Sequence, residues 1–188
     1  MKTGDSVYRD IHQELIERCR KKDIKAQFHI YRLYYKNMYN ISLRIVNDSG
    51  EAEDIMQESF LSAFDRIDTF SGEVSFGAWL KRIVINKSLD FLKKKKLEFT
   101  VIEEGSEIAD EAESDRDDEN LNLKVARIHE CIKLLPDGYR IILSLYLLEG
   151  YDHEEIGEIL GISASTSRSQ YTRARQKLCS MLKDKFPE

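Results

Sequence analysis

An all-α fold of two small helical domains joined by an acidic flexible linker is predicted by three observations. Apolar residues recur at helical spacing through most of the chain. Only two prolines and nine glycines interrupt 188 residues, so long segments are free of helix breakers. In one stretch, roughly Glu98 to Glu119, the apolar periodicity vanishes and acidic residues crowd together, which favours an extended linker. The boundaries that follow are 1–97 for the first domain, 98–119 for the linker and 120–188 for the second domain.

Tyr8 to Lys21 reads as a short amphipathic helix. Lys25 to Val46 reads as a longer one, with Phe28, Tyr31, Tyr35, Met38, Ser42, Ile45 and Val46 near helical spacing. Asn47, Asp48, Ser49 and Gly50 are turn formers and predict a turn. A third helix is expected from about Glu51 to Arg66, then a loop from Asp68 to Ser75 containing Phe70 and Gly72, then a fourth helix from Phe76 to Lys95. Beyond the linker, helices are expected over Leu121 to Leu134 and Asp137 to Leu148, with Pro136 suited to a helix start.

The last segment, Tyr151 to Lys185, carries the most specific local signal. Asp152 and Glu155 have capping-box spacing, and Ile156, Ile159 and Leu160 give a short helix its apolar side. Gly161 permits a sharp turn, Ile162 can plug the angle between two helices, and Ser163 is a good N-cap for the second. There Ser167, Tyr171, Ala174, Leu178 and Met181 mark an inward face. Arg168, Ser169, Gln170, Thr172, Arg173, Arg175 and Lys177 are left outward. A helix-turn-helix whose second helix presents guanidinium, amide and hydroxyl groups suits the DNA major groove. A solvated basic face is the alternative that charge alone would allow.

The net charge of −5 conceals a strong segregation. Ten acidic residues between Glu103 and Glu119 are relieved only by Arg116, while Lys93 to Lys96 follow Lys81, Arg82 and Lys87 on the fourth helix. Two basic surfaces flank an acidic tether. Cys19, Cys131 and Cys179 are isolated, no CxxC occurs, and only a weak His129/Cys131 pair resembles metal-ligand spacing, so idle thiols in a reducing compartment are expected. No nucleophile–base pair, phosphate-cradling loop or ligand set points to an enzyme, a cofactor or a small-molecule substrate. With no signal-peptide pattern and no apolar run long enough to span a bilayer, a cytoplasmic location is expected.

Three runs in order now resemble a known family. Glu53-Asp54-Ile55-Met56-Gln57-Glu58-Ser59-Phe60, Phe76-Gly77-Ala78-Trp79-Leu80-Lys81-Arg82-Ile83 and the closing helix-turn-helix resemble bacterial RNA polymerase sigma factors of the extracytoplasmic-function (ECF) class of the sigma-70 family. The resemblance covers about Ala26 to Leu182. It implies a sigma-2 domain for polymerase binding, −10 recognition and melting, and a sigma-4 domain for −35 recognition. Its partners would be core RNA polymerase, promoter DNA and an anti-sigma factor, often membrane-anchored.

By resemblance, Asp54, Gln57 and Glu58, which share a helical face, dock on core polymerase; a solvated acidic face is the plain alternative. Phe70, Trp79, Lys81, Arg82 and Asn86 would act at the −10 element, where extruded bases need stacking partners and phosphates need cations. Trp79 also fits a core position, whereas Phe70, on a loop beside Gly72, is less obviously core. Arg168, Ser169, Thr172 and Arg173 would contact the −35 element, with Arg175 nearer the backbone. Ser167 departs from the family, which usually has Val or a similar residue there; it could loosen packing or bond back to a helix carbonyl. A linker of about twenty residues reaches ~70 Å fully extended but spans only ~25 Å as a free coil. Promoter elements ~70 Å apart therefore demand a stretched path along polymerase. A solubilising tether is the alternative role.

Two other functions compete with this reading. A conventional helix-turn-helix regulator would bind duplex DNA by itself, usually as a symmetric dimer. An enzyme with a DNA-binding appendage has no supporting residues.

Overall fold

The computed structural model describes residues 13–99 and 121–186, and side chains over 13–95 and 125–186. Residues 8–12 of the first expected helix, most of the expected linker and the side chain of Lys96 lie outside the described residues. All regular structure among the described residues is helical. The chain divides into two compact units, Met1–Lys95 and Lys96–Glu188.

In the first unit, α1 (residues 13–20) buries Leu15, Ile16 and Cys19. Lys22, at φ 58°, turns the chain toward Asp23, whose carboxylate caps α2 (Ile24–Val46) by accepting from the N–H groups of Lys25 and Ala26. The Arg18 guanidinium, then those N–H groups, hold the Asp23 carboxyl below the usual carboxylate range. The expected four-residue turn after α2 is shorter. Asn47 closes α2 in the left-handed conformation, and Asp48 immediately caps α3 (Ser49–Asp65) by accepting from the Glu51 N–H at 3.0 Å. Ser49 and Gly50 belong to the first turn of α3 because this cap outweighs their turn preference.

The packing of α3 along α2 gives the unit its core. Ile30, Met38, Ile41 and Ile45 are at most 1% exposed, each side chain contributing about 1.5–3 kcal/mol by leaving water. A short 3₁₀ turn, Ile67–Thr69, opens the loop that leads to α4 (Phe76–Phe99). Thus α4 runs past the expected helix end at Lys95. It inserts Leu80, Val84, Ile85 and Leu89 into the core, and its Ser88 hydroxyl meets that of Ser42 at 3.1 Å.

The second unit comprises α5 (Leu121–Lys133), α6 (Asp137–Leu143), a π turn (Ser144–Leu148), α7 (His153–Leu160) and α8 (Ala164–Lys185). Its core joins Cys131, Ile132, Leu135, Leu143, Ala174 and Leu178. Arg140 is 3% exposed, yet its guanidinium donates to the Leu135 carbonyl at 3.2 Å and pairs with Asp137 at 2.8 Å. The helix expected to continue to Leu148 changes pitch at Ser144, where the Glu149 N–H reaches back to the Ser144 carbonyl. The π turn leaves Leu145 buried while Tyr146, Leu147 and Leu148 face outward. Among the described residues no helix is long and apolar enough to cross a membrane.

Candidate nucleic-acid and polymerase interfaces

The helix-turn-helix is built from short-range capping. The Asp152 carboxylate accepts from the Glu155 N–H, and the Glu155 carboxylate accepts from the Asp152 N–H, both at 2.8 Å. Gly161 ends α7 at φ +69°, a left-handed conformation that glycine adopts without strain. Ser163 caps α8 by accepting from the Thr166 N–H at 3.1 Å. Gly157 lets α7 touch the turn: a Cβ there would lie 2.7 Å from the Ile162 carbonyl oxygen, nearer than such atoms approach.

Packing turns α8 as its sequence demands. Ser167, Ala174 and Leu178 are buried, and Tyr171 and Met181 half-buried. Arg168, Ser169, Thr172, Arg173, Arg175 and Lys177 are exposed, while Gln170 is half-buried. The Ser169 hydroxyl donates to the Ser165 carbonyl at 2.9 Å and that of Thr172 to the Arg168 carbonyl at 3.0 Å, leaving both oxygens able to accept. Arg168 reaches Glu154 of α7 at 3.4 Å, a pairing that spacing along one helix cannot reveal. Among the described residues Arg173 and Arg175 form no ion pair. Ser167 follows neither expected alternative. Its hydroxyl lies 2.9 Å from His153 Nδ1, one hydrogen bond joining α8 to the start of α7.

In the first unit, the expected −10 residues separate. Trp79, Arg82 and Asn86, at i, i+3 and i+7, share one face of α4; Trp79 and Arg82 are half-buried and Asn86 is exposed. Lys81 stands three, four and seven residues before the buried Val84, Ile85 and Ser88, so it rises from the packed side instead. The reading of Phe70 as less obviously core needs correction. It is 8% exposed, with ring centroids 5.6 Å from Phe76 and 5.5 Å from Trp79, and so packs in the core. Arg20 fixes the same residue by donating to its carbonyl at 2.8 Å. Its neighbours on both sides, residues 68–69 and 71–75, are exposed. Of the lysine block, Lys93 pairs with Asp90 at 3.7 Å and Lys95 lies 5.7 Å from the Phe91 ring centroid.

Asp54, Gln57 and Glu58 are all exposed on one face of α3. Gln57 donates to Glu53 at 3.3 Å, and Glu58 pairs with Lys87 of α4 at 3.5 Å. Leu61, 66% exposed and on the same face, adds an apolar group that the sequence reading passed over. An exposed leucine in an acidic run was the available signal.

Comparison with known proteins identifies the family. The pattern described as Sigma-70 region 2 matches residues 30–98, and that described as Sigma-70, region 4 matches residues 126–178. The chain is 32% identical over 178 residues to the ECF RNA polymerase sigma factor SigW of Bacillus subtilis, covering 90% of this chain and 95% of that protein. It is 30% identical to the ECF RNA polymerase sigma-E factor of Escherichia coli, covering 88% and 91%. Its fold is similar to that of the sigma factor RpoE solved with the anti-sigma factor NepR from Bartonella quintana, with TM-score 0.62 and 21% identity over 85% of this chain and 98% of that one. It is similar also to CnrH, solved with the cytosolic domain of CnrY, with TM-score 0.57 and 20% identity over 92% and 97%. The chain belongs to the ECF class of sigma-70-family RNA polymerase sigma factors.

Proposed function

We propose a division of labour among three surfaces of this sigma factor, which binds core RNA polymerase and directs promoter-specific initiation. Asp54, Gln57 and Glu58, with Leu61 among them, dock on core polymerase. Trp79, Arg82 and Asn86 act on the opened −10 strand, with Lys81 adding cationic charge from the packed side of α4. Arg168, Ser169, Thr172 and Arg173 read the −35 element, and Arg175 holds its backbone. Residues 1–97 work as the sigma-2 domain and 120–188 as the sigma-4 domain, tethered by 98–119. The chain makes no bonds itself, acts in the cytoplasm and is held inactive by an anti-sigma factor, a reading supported by the similar fold of RpoE, which was solved with the anti-sigma factor NepR.

The observation carrying this reading is α8, whose packed back leaves a continuous outward row of guanidinium and hydroxyl groups. Transcription with purified core polymerase on genomic templates tests it. Promoter-specific transcripts are expected only when this chain is added, and to disappear with Asp54→Arg/Glu58→Arg. Identical transcripts from core enzyme alone would refute the assignment.

A further inference from the structure

We propose that His153 is the positioning residue that decides which −35 sequence α8 reads, acting through Ser167. This rests on the reading of α8 as the −35 recognition helix. Ser167 is 0% exposed and immediately precedes Arg168, so it backs the turns whose front faces DNA. Its hydroxyl is joined to His153 Nδ1 at 2.9 Å.

Two tyrosine rings pack against the imidazole. It stacks on Tyr146 of the π turn at 4.6 Å and 16°, and meets Tyr171 of α8 edge-on at 5.7 Å. Tyr146 and Tyr171 close the cluster at 4.5 Å. His153 itself is the first residue of α7, directly after the capping-box Asp152. The stack on Tyr146 and the root at the start of α7 resist displacement of the ring, so the hydrogen bond ties α8 to that end of α7.

Geometry converts this into sequence choice. Gly157 packs closely against the Ile162 carbonyl, which makes the turn before α8 the natural point about which that helix would tilt. Ser167 lies four residues past the N-cap Ser163, ~6 Å along the axis, and Arg173 lies ten past it, ~15 Å. A valine methyl at the hydroxyl position would sit 2.9 Å from Nδ1. Carbon contacts settle near ~3.5 Å, so ring or helix would yield by ~0.6 Å. Pivoted at Ser163, that shift grows to ~1.5 Å at Arg173. Base-edge hydrogen bonds occupy a window of only ~0.5 Å. The pair at 153 and 167 therefore selects the register in which Arg168, Thr172 and Arg173 meet base edges.

The test is selection of duplexes by the reconstituted holoenzyme, from a pool randomised across both promoter elements, for wild type, Ser167→Ala, Ser167→Val, His153→Leu and His153→Asn. Thermal unfolding of each variant is measured alongside. Ser167→Val and His153→Leu are expected to retrieve a different −35 sequence. Ser167→Ala is expected to keep the sequence but lose about tenfold discrimination between it and single-base variants. His153→Asn, whose side-chain amide falls where Nδ1 stood, is expected to restore the wild-type preference. If the variants retrieve the wild-type −35 sequence with unchanged discrimination, and only their melting temperatures shift, the pair is merely structural and the inference falls. Should His153→Leu not fold, Ser167→Ala and His153→Asn carry the same decision. If wild-type holoenzyme retrieves no −35 sequence, the reading of α8 itself fails, and the inference with it.

Discussion

Replacing Phe70 by Ala separates a core ring from one that holds a base. The ring is 8% exposed and touches Phe76 and Trp79, so its removal leaves a cavity inside the first unit. Phe→Ala at such positions costs about 3–5 kcal/mol. A domain of this size has a net stability of about 5–14 kcal/mol, so much of the margin would go. The folded-to-unfolded ratio would fall by roughly a thousandfold. Trp79 is the chain's single tryptophan and lies against Phe70, so its fluorescence during urea unfolding reports on this cluster. The expected result is a large drop in the urea midpoint. Transcription should fall in parallel on fully duplex and pre-opened −10 templates, and Phe70→Leu should recover most of both. An unchanged midpoint with activity lost only on the duplex template would show that the ring works on DNA and that the core argument is wrong.

Asp54→Arg/Glu58→Arg should abolish core-polymerase pull-down with little stability change, because Glu58 is exposed, its partner Lys87 lies 3.5 Å away only half-buried, and surface pairs contribute about 0–1 kcal/mol. Normal pull-down by the folded variant would remove the docking face. Arg173→Ala should weaken −35 binding by about 1–3 kcal/mol and relax preference at one base pair, as holoenzyme binding curves on matched and substituted −35 duplexes would show. Glu154→Gln, by releasing Arg168 from its ion pair, should tighten the same binding by less than about fivefold; weaker binding would mean that Glu154 helps to aim Arg168. Burial, then Asp23, pushes the Cys19 thiol up to about 11 from an ordinary value near 9, with Arg18 opposing. A raised folded value means that its contribution to stability is complete below pH 9 and lost as pH rises from there through 11. The urea midpoint should therefore fall more steeply over that range than in Cys19→Ala, and equal slopes would refute this. At pH about 8 iodoacetamide should modify exposed Cys179 and spare buried Cys19.

What the sequence disclosed follows the range of the forces involved. Asp152 with Glu155, Gly161 and Ser163 act within a few residues, and each performs its expected capping or turning task. The turn at Asn47–Gly50 was misjudged because one Asp48 cap overrides two residues that favour turns. Pairings between elements leave no trace in spacing. Arg20 meets the Phe70 carbonyl across fifty residues, and that contact belongs to the packing that draws the ring inward. The Ser167 hydroxyl could be seen as polar on an apolar stripe, but its partner fourteen residues earlier could not. Lys81 and Arg82 enter together through the family resemblance, yet consecutive helical residues point about 100° apart, so the two side chains leave α4 in different directions.

The contact between Gly157 and the Ile162 carbonyl bears on how such a protein diversifies. The angle between α7 and α8 is held partly by backbone atoms, which no surface substitution alters. Exposed residues such as Arg173 can drift by mutation while the scaffold persists, and on the reading of α8 proposed above that would shift promoter preference without disturbing the fold. Position 157 has the opposite latitude. Any side chain there strikes the backbone, and in a library of random variants it should be nearly invariant among survivors while the exposed residues of α8 vary freely.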